Sequence, residues 1–263
     1  MHLDVGELNA FYLSPMGRIV RQIVTAEVRA IWPSVTADRL AGLGHVTPYL
    51  RPFLDEAERV VALMPAAEGV HHWPPEGPNV TALAFEDHLP LPDASVDKLM
   101  LVHILETARD PHAVMEEVWR ILTPSGRALA VVPYRTGAWA KADHTPFGLG
   151  RPFSRYQLTQ LMEDSLLKPR EVRRFLFAPP TRRRFIMGSG QGWERVGRRL
   201  WPRFAGVLAI EAEKTFSRAI AVPSKRIRGI EVLVPGLAPV PKPAMTRSGL
   251  PFHVKDASDI PSS

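Results

Sequence analysis

The sequence predicts an α/β protein with a parallel sheet, and residues 95–133 carry most of that prediction. Residues 96–102 form a short, mostly apolar run, as in a strand that is buried on both faces. Asp110 and Pro111 then favour the start of a helix, because Asp caps well and Pro loses no hydrogen bond at the first helical position. A second apolar run, 128–132, follows a Pro-Ser-Gly turn. Strand, helix, turn and strand make a βαβ unit with a right-handed crossover.

The remaining elements are predicted from similar local patterns. Ser14 is a good N-cap, Pro15 follows it, and apolar residues recur every three or four positions, so we expect a helix over 15–31. A second capped helix is expected after Ser154, and a short Arg-rich helix over 193–201. Further strands are expected just before the loop at 42–48 and at 59–64, 79–84, 171–178 and 206–214.

The net charge of +6 is unevenly distributed along the chain. Eleven basic and two acidic residues lie between Lys168 and Arg203, which gives this segment +9 and leaves −3 for the rest. Such a segment suggests an anionic partner, with RNA as one candidate. It is equally typical of an arginine-rich face that is exposed to solvent, and both interpretations stay open.

The composition also excludes several classes of protein. Without cysteine the chain has no disulfides and no thiolate metal site. No run approaches the ~20 apolar residues that a membrane helix needs, and the N-terminus lacks the pattern of a signal peptide. We therefore expect a cytoplasmic protein with no membrane partner. His71 and His72 are adjacent in a Pro-rich loop, a poor arrangement for chelation, so no metal site is predicted.

Three regions are expected along the chain. An N-terminal helical segment covers 1–35, and the α/β domain covers 36–215. Residues 216–263 form a Pro-rich tail without periodicity, which we expect to be disordered or to wrap the surface.

The central motifs resemble those of the class I S-adenosylmethionine-dependent methyltransferases, in the branch known as type 11. The resemblance covers residues 38–214 and implies a Rossmann-like, doubly wound, seven-stranded sheet, mostly parallel with an antiparallel last strand. It also implies S-adenosyl-L-methionine as the cofactor. The matching residues are Leu89, Pro90, Pro92, Asp93, Ser95, Asp97, His103, Leu105, Glu106, Asp110, Pro111, Arg120, Leu122, Pro124, Gly126 and Pro133.

The resemblance places the methionine and ribose parts of the cofactor near two strand ends. The family's first loop reads Asp/Glu-x-Gly-x-Gly-x-Gly, and glycines there let the backbone approach the ligand. Gly42 stands at the acid's position, Gly44 keeps the first glycine and His45 follows it, so these three are candidate cofactor residues with one glycine of three in register. Met64 stands where an acid usually accepts the ribose hydroxyls, and Glu68 replaces it only if the loop folds back.

Further candidates come from the later strand ends. The resemblance implies that Glu86 or Asp87 holds the adenine amino group and that Phe85 or Ala84 packs on the ring, although a solvated turn is the alternative. His103 lies at a strand's carboxyl end, where it lines the cofactor pocket, acts as a base, or is a core or capping histidine. In the N-terminal segment, Tyr12 reaches the same cleft or is a packing aromatic.

A long loop after 128–132 is expected to cover the substrate. Tyr134, Asp143 and His144 in this loop are candidate catalytic residues together with His103, although Asp143 and His144 also suit a turn cap. The loop after 96–102 lacks the Asn/Asp-Pro-Pro-Tyr motif, which argues against the amino groups of DNA bases as acceptors.

Three functions follow from these observations. The leading hypothesis is an S-adenosylmethionine-dependent methyltransferase of unknown acceptor, with a small molecule favoured. The second is a non-catalytic, methyltransferase-like protein that binds a partner through its Arg-rich segment. The third is an RNA methyltransferase, whose RNA binding would depend strongly on salt.

Overall fold

The computed structural model describes residues 4–181, 194, 196–197, 199–201 and 204–216. In these residues the helices are α1 (Val5–Leu13), α2 (Pro15–Ile31), α3 (Thr47–Leu50), α4 (Pro111–Ile121) and α5 (Arg155–Asp164), with short 3-10 helices at Arg51–Phe53, Trp139–Lys141 and Pro146–Gly148. The strands are β1 (Arg39–Gly44), β2 (Arg59–Pro65), β3 (Thr81–Ala84), β4 (Val96–Val102), β5 (Leu122–Pro133), β6 (Leu167–Phe175) and β7 (Val207–Lys214).

The seven strands form one sheet in the order β3-β2-β1-β4-β5-β7-β6. Strands β1 to β5 are parallel to one another, and β7 runs antiparallel to both β5 and β6. The Rossmann-like sheet expected from the sequence is therefore confirmed. The chain builds outward from β1 to β3 and then returns to add β4 on the other side of β1. In an open sheet, ligands bind at the carboxyl ends of the strands next to such a reversal.

Side chains on the two faces of the sheet form two hydrophobic layers. Leu99 and Leu101 of β4 belong to the layer under α4 and α5, whereas Met100 and Val102 belong to the layer under α2 and α3. This alternation follows from the two-residue period of a strand, and both layers are apolar because helices cover both faces.

The predicted helix starts are confirmed in their capping contacts. The hydroxyl of Ser14 accepts a hydrogen bond from the Gly17 amide at 3.0 Å, and α2 has the predicted bounds. The carboxylate of Asp110 caps α4 in the same way. At α5 the side chains of Ser154 and Gln157 each bond to the other's backbone amide, a complete capping box.

Three elements differ from the expectation. β6 spans Leu167–Phe175 rather than 171–178, because this edge strand carries charged residues and its apolar run continues past the point where pairing with β7 ends. β5 begins at Leu122, since the Pro-Ser-Gly turn is absorbed as an irregularity in its pairing with β4. Helix α1 was not predicted; it is capped by Asp4, and only Leu8 and Tyr12 along it are buried.

All of these elements lie in one compact unit, Met1–Ala219. The predicted tail from 217 onward lies outside the described residues, as does most of the segment 182–203 with its predicted Arg-rich helix. The domain boundaries at 35 and 215 stay predictions. No helix in the described ranges is long and apolar enough to cross a membrane.

Candidate functional site

The carboxyl ends of β1 and β4 are joined directly and define the centre of the candidate site. β1 ends at Gly44 and β4 at Val102, whose carbonyl oxygen accepts a hydrogen bond from the His45 amide at 2.9 Å. Gly44 has a φ of +91°, and a Cβ there would lie 2.1 Å from the Val102 oxygen, so only glycine fits. The next residue after β4, His103, also has a positive φ, +56°. A non-glycine residue in this conformation is strained, and such strain is concentrated at functional sites.

A chain of buried hydrogen bonds begins at His103. The hydroxyl of Tyr49 donates to the hydroxyl of Tyr12 at 2.7 Å, and the Tyr12 hydroxyl lies 2.7 Å from His103 Nε2. On the other side of the ring, His103 Nδ1 lies 3.0 Å from Glu106 Oε1. These four side chains come from α1, α3 and the loop after β4. They form one relay, which we call the Tyr49–Glu106 relay.

The proton positions in the Tyr49–Glu106 relay follow from its donors and acceptors. Tyr12 accepts the hydroxyl proton of Tyr49, so its own proton is directed to His103 Nε2. His103 Nε2 is therefore an acceptor, and Nδ1 carries the proton that is donated to Glu106. This is the arrangement in which a carboxylate orients a histidine that faces a hydroxyl.

Burial keeps the rest of the cluster neutral. Desolvation raises the pKa of Tyr12 well above its ordinary value, with a further contribution from Tyr49. The ring of His45 stacks on Tyr12, with centroids 5.0 Å apart. Desolvation, together with the nearby imidazoles of His103 and His71, lowers the pKa of His45 to about 3. His45 is therefore an uncharged imidazole at neutral pH.

The long loop after β5 places an aromatic ring beside His103, and the catalytic roles of Asp143 and His144 stay predictions. The Phe147 ring packs edge-on against His103, with centroids 4.7 Å apart. At the end of the loop, the Arg151 amide donates to the Glu106 carbonyl at 2.8 Å, which fixes the backbone of the relay's carboxylate. Asp143 and His144 are exposed to solvent. The Tyr134 side chain is 9% exposed, and the guanidinium of Arg174 lies over its ring.

The loop after β2 folds back toward the sheet. The amides of Glu68 and Gly69 both donate to the carbonyl of Pro65, and the Glu68 carbonyl accepts from the first amide of α1, that of Val5. The Glu68 carboxyl is thereby buried, and its pKa rises to about 8 through desolvation and the charges of Glu106 and Glu86. The replacement of the acid missing at Met64 by Glu68 stays a prediction.

The predicted cofactor residues fall into a packed group and an exposed group. Gly42 is in the interior of β1, where a Cβ would meet the Val46 side chain at 2.4 Å, and Met64 is buried. Both positions are explained by internal packing. Beyond β3, Phe85 is 70% exposed, and Glu86 and Asp87 are also accessible. The exposed group is therefore free to meet a ligand.

Comparison with known proteins shows a similarity between the central part of this chain and a methyltransferase domain. The sequence profile described as a methyltransferase domain, type 11, matches residues 40–130. The resemblance to the type 11 branch is confirmed. A sequence search of curated proteins found no match.

Solved structures give the same fold at low sequence identity. A methyltransferase from Thermotoga maritima is 17% identical with a TM-score of 0.56, covering 80% of this chain and 96% of its own. A Haloferax volcanii methyltransferase, solved with the Trm112 activator, is 22% identical with a TM-score of 0.59, covering 81% and 97%. Geranyl diphosphate C-methyltransferase from Streptomyces coelicolor, bound to S-adenosyl-L-homocysteine, is 14% identical with a TM-score of 0.51, covering 73% and 77%.

S-adenosylmethionine is the cofactor that a methyltransferase domain implies, and the site's unpaired polar atoms fit its polar groups. Apart from Arg29 Nη1 on α2, three buried side-chain atoms have no hydrogen-bond partner among the described residues: His45 Nε2, His71 Nδ1 and Glu106 Oε2. Buried polar atoms normally have partners. All three lie in loops after β1, β2 and β4, and the rings of His45 and His71 are 6.4 Å apart. The cofactor carries an ammonium, a carboxylate and two ribose hydroxyls that can meet such atoms. No group of three or more metal-ligating side chains occurs in the same described ranges.

Sequence reasoning found part of this site. His103 and Glu106 are in the family motif, and Tyr12 and Glu68 were open alternatives. Tyr49 and Phe147 were missed, because nothing in their local sequence distinguishes them from packing aromatics. Their position next to loops at the carboxyl edge of the sheet is the only signal available.

Proposed function

We propose that this protein transfers a methyl group from S-adenosylmethionine to a small molecule. The observation that carries the proposal is the buried His103–Glu106 pair at the carboxyl ends of β1 and β4. One oxygen of its carboxylate has no partner among the described residues. Such a pair is suited to accept a proton from an acceptor group as it becomes nucleophilic.

Enclosure supports a small acceptor. His45, His103 and Glu106 are each at most 3% exposed beneath α1 and the loop that carries Phe147. A substrate that reaches them has to fit under these covers, which suits a small molecule better than a polymer. The Streptomyces coelicolor relative, which binds geranyl diphosphate, is a small-molecule enzyme of the same fold.

The chain's own residues divide the work. In this proposal Glu68 accepts hydrogen bonds from the ribose hydroxyls, and Glu86 or Asp87 together with Phe85 holds the adenine. Gly44 and His45 line the region of the methionine part. When bound, the cofactor supplies an electrophilic methyl group on a sulfonium. The protein then needs to bring the acceptor close and exclude water, and positioning of this kind accounts for much of the rate.

The described part of the Arg-rich segment does not favour RNA. Arg170 pairs with Glu213 at 2.8 Å, and Arg173 pairs with Glu171 at 2.6 Å and with Glu27 at 3.1 Å. These arginines are bound within the fold, so they offer less charge to phosphates. The arginines at 182–184, 195, 198 and 203 lie outside the described residues.

Titration calorimetry with S-adenosylmethionine and S-adenosylhomocysteine tests the proposal. We expect micromolar binding to the wild-type protein. The double variant Glu86→Ala with Asp87→Ala should weaken it at least tenfold, since the adenine-side acids are lost. Glu163→Ala with Asp164→Ala removes an exposed acidic pair on α5 and serves as the matched control.

The control should bind like the wild type. Absence of binding at millimolar cofactor would exclude the enzyme and leave the non-catalytic, partner-binding alternative, which the packed side chain of Val46 and the buried Met64 favour.

A further inference from the structure

We propose that Tyr12 occupies the position of the acceptor and that the acceptor is a phenol, a small aromatic compound with a hydroxyl group. This inference rests on the proposed methyltransferase function and specifies its substrate class. On this reading α1 carries a built-in copy of the acceptor's reactive group, which the substrate displaces.

The surroundings of Tyr12 provide what a phenol requires. Its ring stacks on the His45 imidazole at 5.0 Å and 16° and meets the Tyr49 ring edge-on at 5.8 Å. Its hydroxyl contacts His103 Nε2 and the Tyr49 hydroxyl, each at 2.7 Å. The flat slot accommodates an aromatic ring, and two polar groups converge on the atom that would be methylated.

The hydrogen-bond directions select a hydroxyl over other acceptors. His103 Nε2 needs a donor, and the Tyr49 hydroxyl needs an acceptor, at the same point. A hydroxyl supplies both. An ammonium only donates and leaves the Tyr49 proton without a partner, while a carboxylate only accepts and leaves His103 Nε2 without one. A site that hydrogen-bonds a substrate hydroxyl discriminates strongly against compounds that cannot complete the set.

Tyr12 is held on an element that can move away locally. Only Leu8 and Tyr12 of α1 are buried, and the helix ends at Leu13, with Ser14 as the single residue between it and α2. At its first residue, α1 is also attached to the loop after β2, because the Val5 amide donates a hydrogen bond to the Glu68 carbonyl. A segment with so few buried side chains opens at low free-energy cost compared with the core.

Methyl transfer to the phenol would form one O–CH3 bond and break one S–CH3 bond. The phenol gives its hydroxyl proton to His103 Nε2, and the Tyr49 hydroxyl donates to the negative charge that develops on the oxygen. The oxygen lone pair forms the new O–CH3 bond while the S–CH3 bond breaks, and its electron pair remains on sulfur as S-adenosylhomocysteine leaves. Glu106 is a positioning residue, because it touches only the far nitrogen of His103.

The first test is a competition among acceptors with tritiated S-adenosylmethionine. The probes are 4-methylphenol, benzylamine and 4-methylbenzoate, which share a ring and differ in the reacting group. We expect the wild type to methylate 4-methylphenol at least tenfold faster than either other compound. His103→Gln and Tyr49→Phe should each lower kcat at least tenfold, and Tyr156→Phe, at an exposed tyrosine of α5, should not. Preferential methylation of benzylamine or 4-methylbenzoate would overturn the inference.

The second test needs no cofactor and separates the inference from the proposed function. Tyr12→Ala vacates the slot, so 4-nitrophenol, whose phenolate is coloured, should bind this variant at least tenfold more tightly than the wild type. Nitrobenzene, which lacks the hydroxyl, should bind at least tenfold more weakly than 4-nitrophenol. Equal binding of the two compounds would contradict the donor–acceptor match.

If Tyr12→Ala does not fold, Tyr12→Phe replaces it in the methylation assay. That variant loses the hydrogen bonds of the Tyr12 hydroxyl with His103 and Tyr49, and it should lower the KM for 4-methylphenol several-fold; an unchanged KM would count against displacement of Tyr12. If 4-nitrophenol binds selectively but no S-adenosylmethionine binds, the proposed function fails and the phenol slot stands. If the cofactor binds and only amines are methylated, the proposed function stands and the phenol inference fails.

Discussion

Glu68 makes the stability of this protein depend on pH in an unusual direction. Its carboxyl has a pKa of about 8, against an ordinary value of 4.5, because it is buried near Glu106 and Glu86. In the unfolded chain the group ionises near its ordinary value. Between these two pKa values the folded protein therefore holds a proton that the unfolded chain has lost, and stability falls as the pH rises.

The magnitude follows from the two pKa values. Each pH unit in the window lowers the free energy of unfolding by about 1.4 kcal/mol, so the whole window amounts to about 5 kcal/mol as an upper limit. Relaxation of the protein around the ionised carboxylate reduces this upper limit, and we expect the free energy of unfolding to fall by about 2–3 kcal/mol between pH 5 and pH 8. Glu68→Gln keeps the shape, cannot ionise, and should remove that loss.

Urea unfolding of the wild type and Glu68→Gln at pH 5, 6, 7 and 8 measures the effect. The two proteins should be close in stability at pH 5, and the variant should be the more stable at pH 8. Histidines such as His45 titrate in both proteins, so they cancel in the difference. Glu163→Gln, at an exposed acid, is the matched control and should follow the wild type. A difference between wild type and Glu68→Gln that does not change with pH would refute the burial of an acid beside other acids.

Three further predictions concern the same framework. Gly44→Ala should cost at least about 3 kcal/mol in urea unfolding, because its Cβ would overlap the Val102 oxygen. Gly69→Ala has a similar φ, but its Cβ would make only an ordinary contact with Val5 Cγ1 at 3.4 Å, so it should cost about 1–2 kcal/mol. Equal losses would contradict the steric argument. Arg120→Lys should lower the free energy of unfolding by about 1–3 kcal/mol, since the Arg120 guanidinium donates to two loop carbonyls and two carboxylates at once. A smaller loss would show that this hydrogen-bond network is dispensable. S-adenosylmethionine binding at pH 7 should release a proton from Glu68. The calorimetric heat of binding should therefore depend on the ionisation enthalpy of the buffer. If the heat shows no such dependence in the wild type, the sulfonium lies away from Glu68.

The sequence predicts the elements whose signals are local and misses those that depend on distant contacts. The bounds of α2 and β4 agree with the expectation because caps and apolar runs specify them within a few residues. β6 was misplaced, since a charged edge strand takes its register from β7 and not from its own pattern. Helix α1 has only two buried side chains, too few for a helical period to stand out.

The candidate site shows the same division. His103 and Glu106 were accessible from the sequence because their spacing is short and belongs to a motif. The contact of Tyr12 with His103 joins residues 91 positions apart, and no periodicity encodes it. Asp143 and His144, chosen for their chemistry, are exposed, because the chain in this loop buries Thr145 and Phe147 instead.

The missing acids of the cofactor loop need not mean a missing charge. Gly42 and Met64 replace two positions at which the family carries a carboxylate, and taken position by position they argue against catalysis. Yet Glu68 and Glu106 bring two buried carboxyl groups to the same end of the sheet from other loops, near enough for Glu106 to raise the pKa of Glu68. Mutual repulsion between buried acids is relieved when a cation is placed among them. Under the proposed function a sulfonium cofactor meets that requirement, with Glu68 and Glu106 supplying the negative charge that the family supplies from other positions.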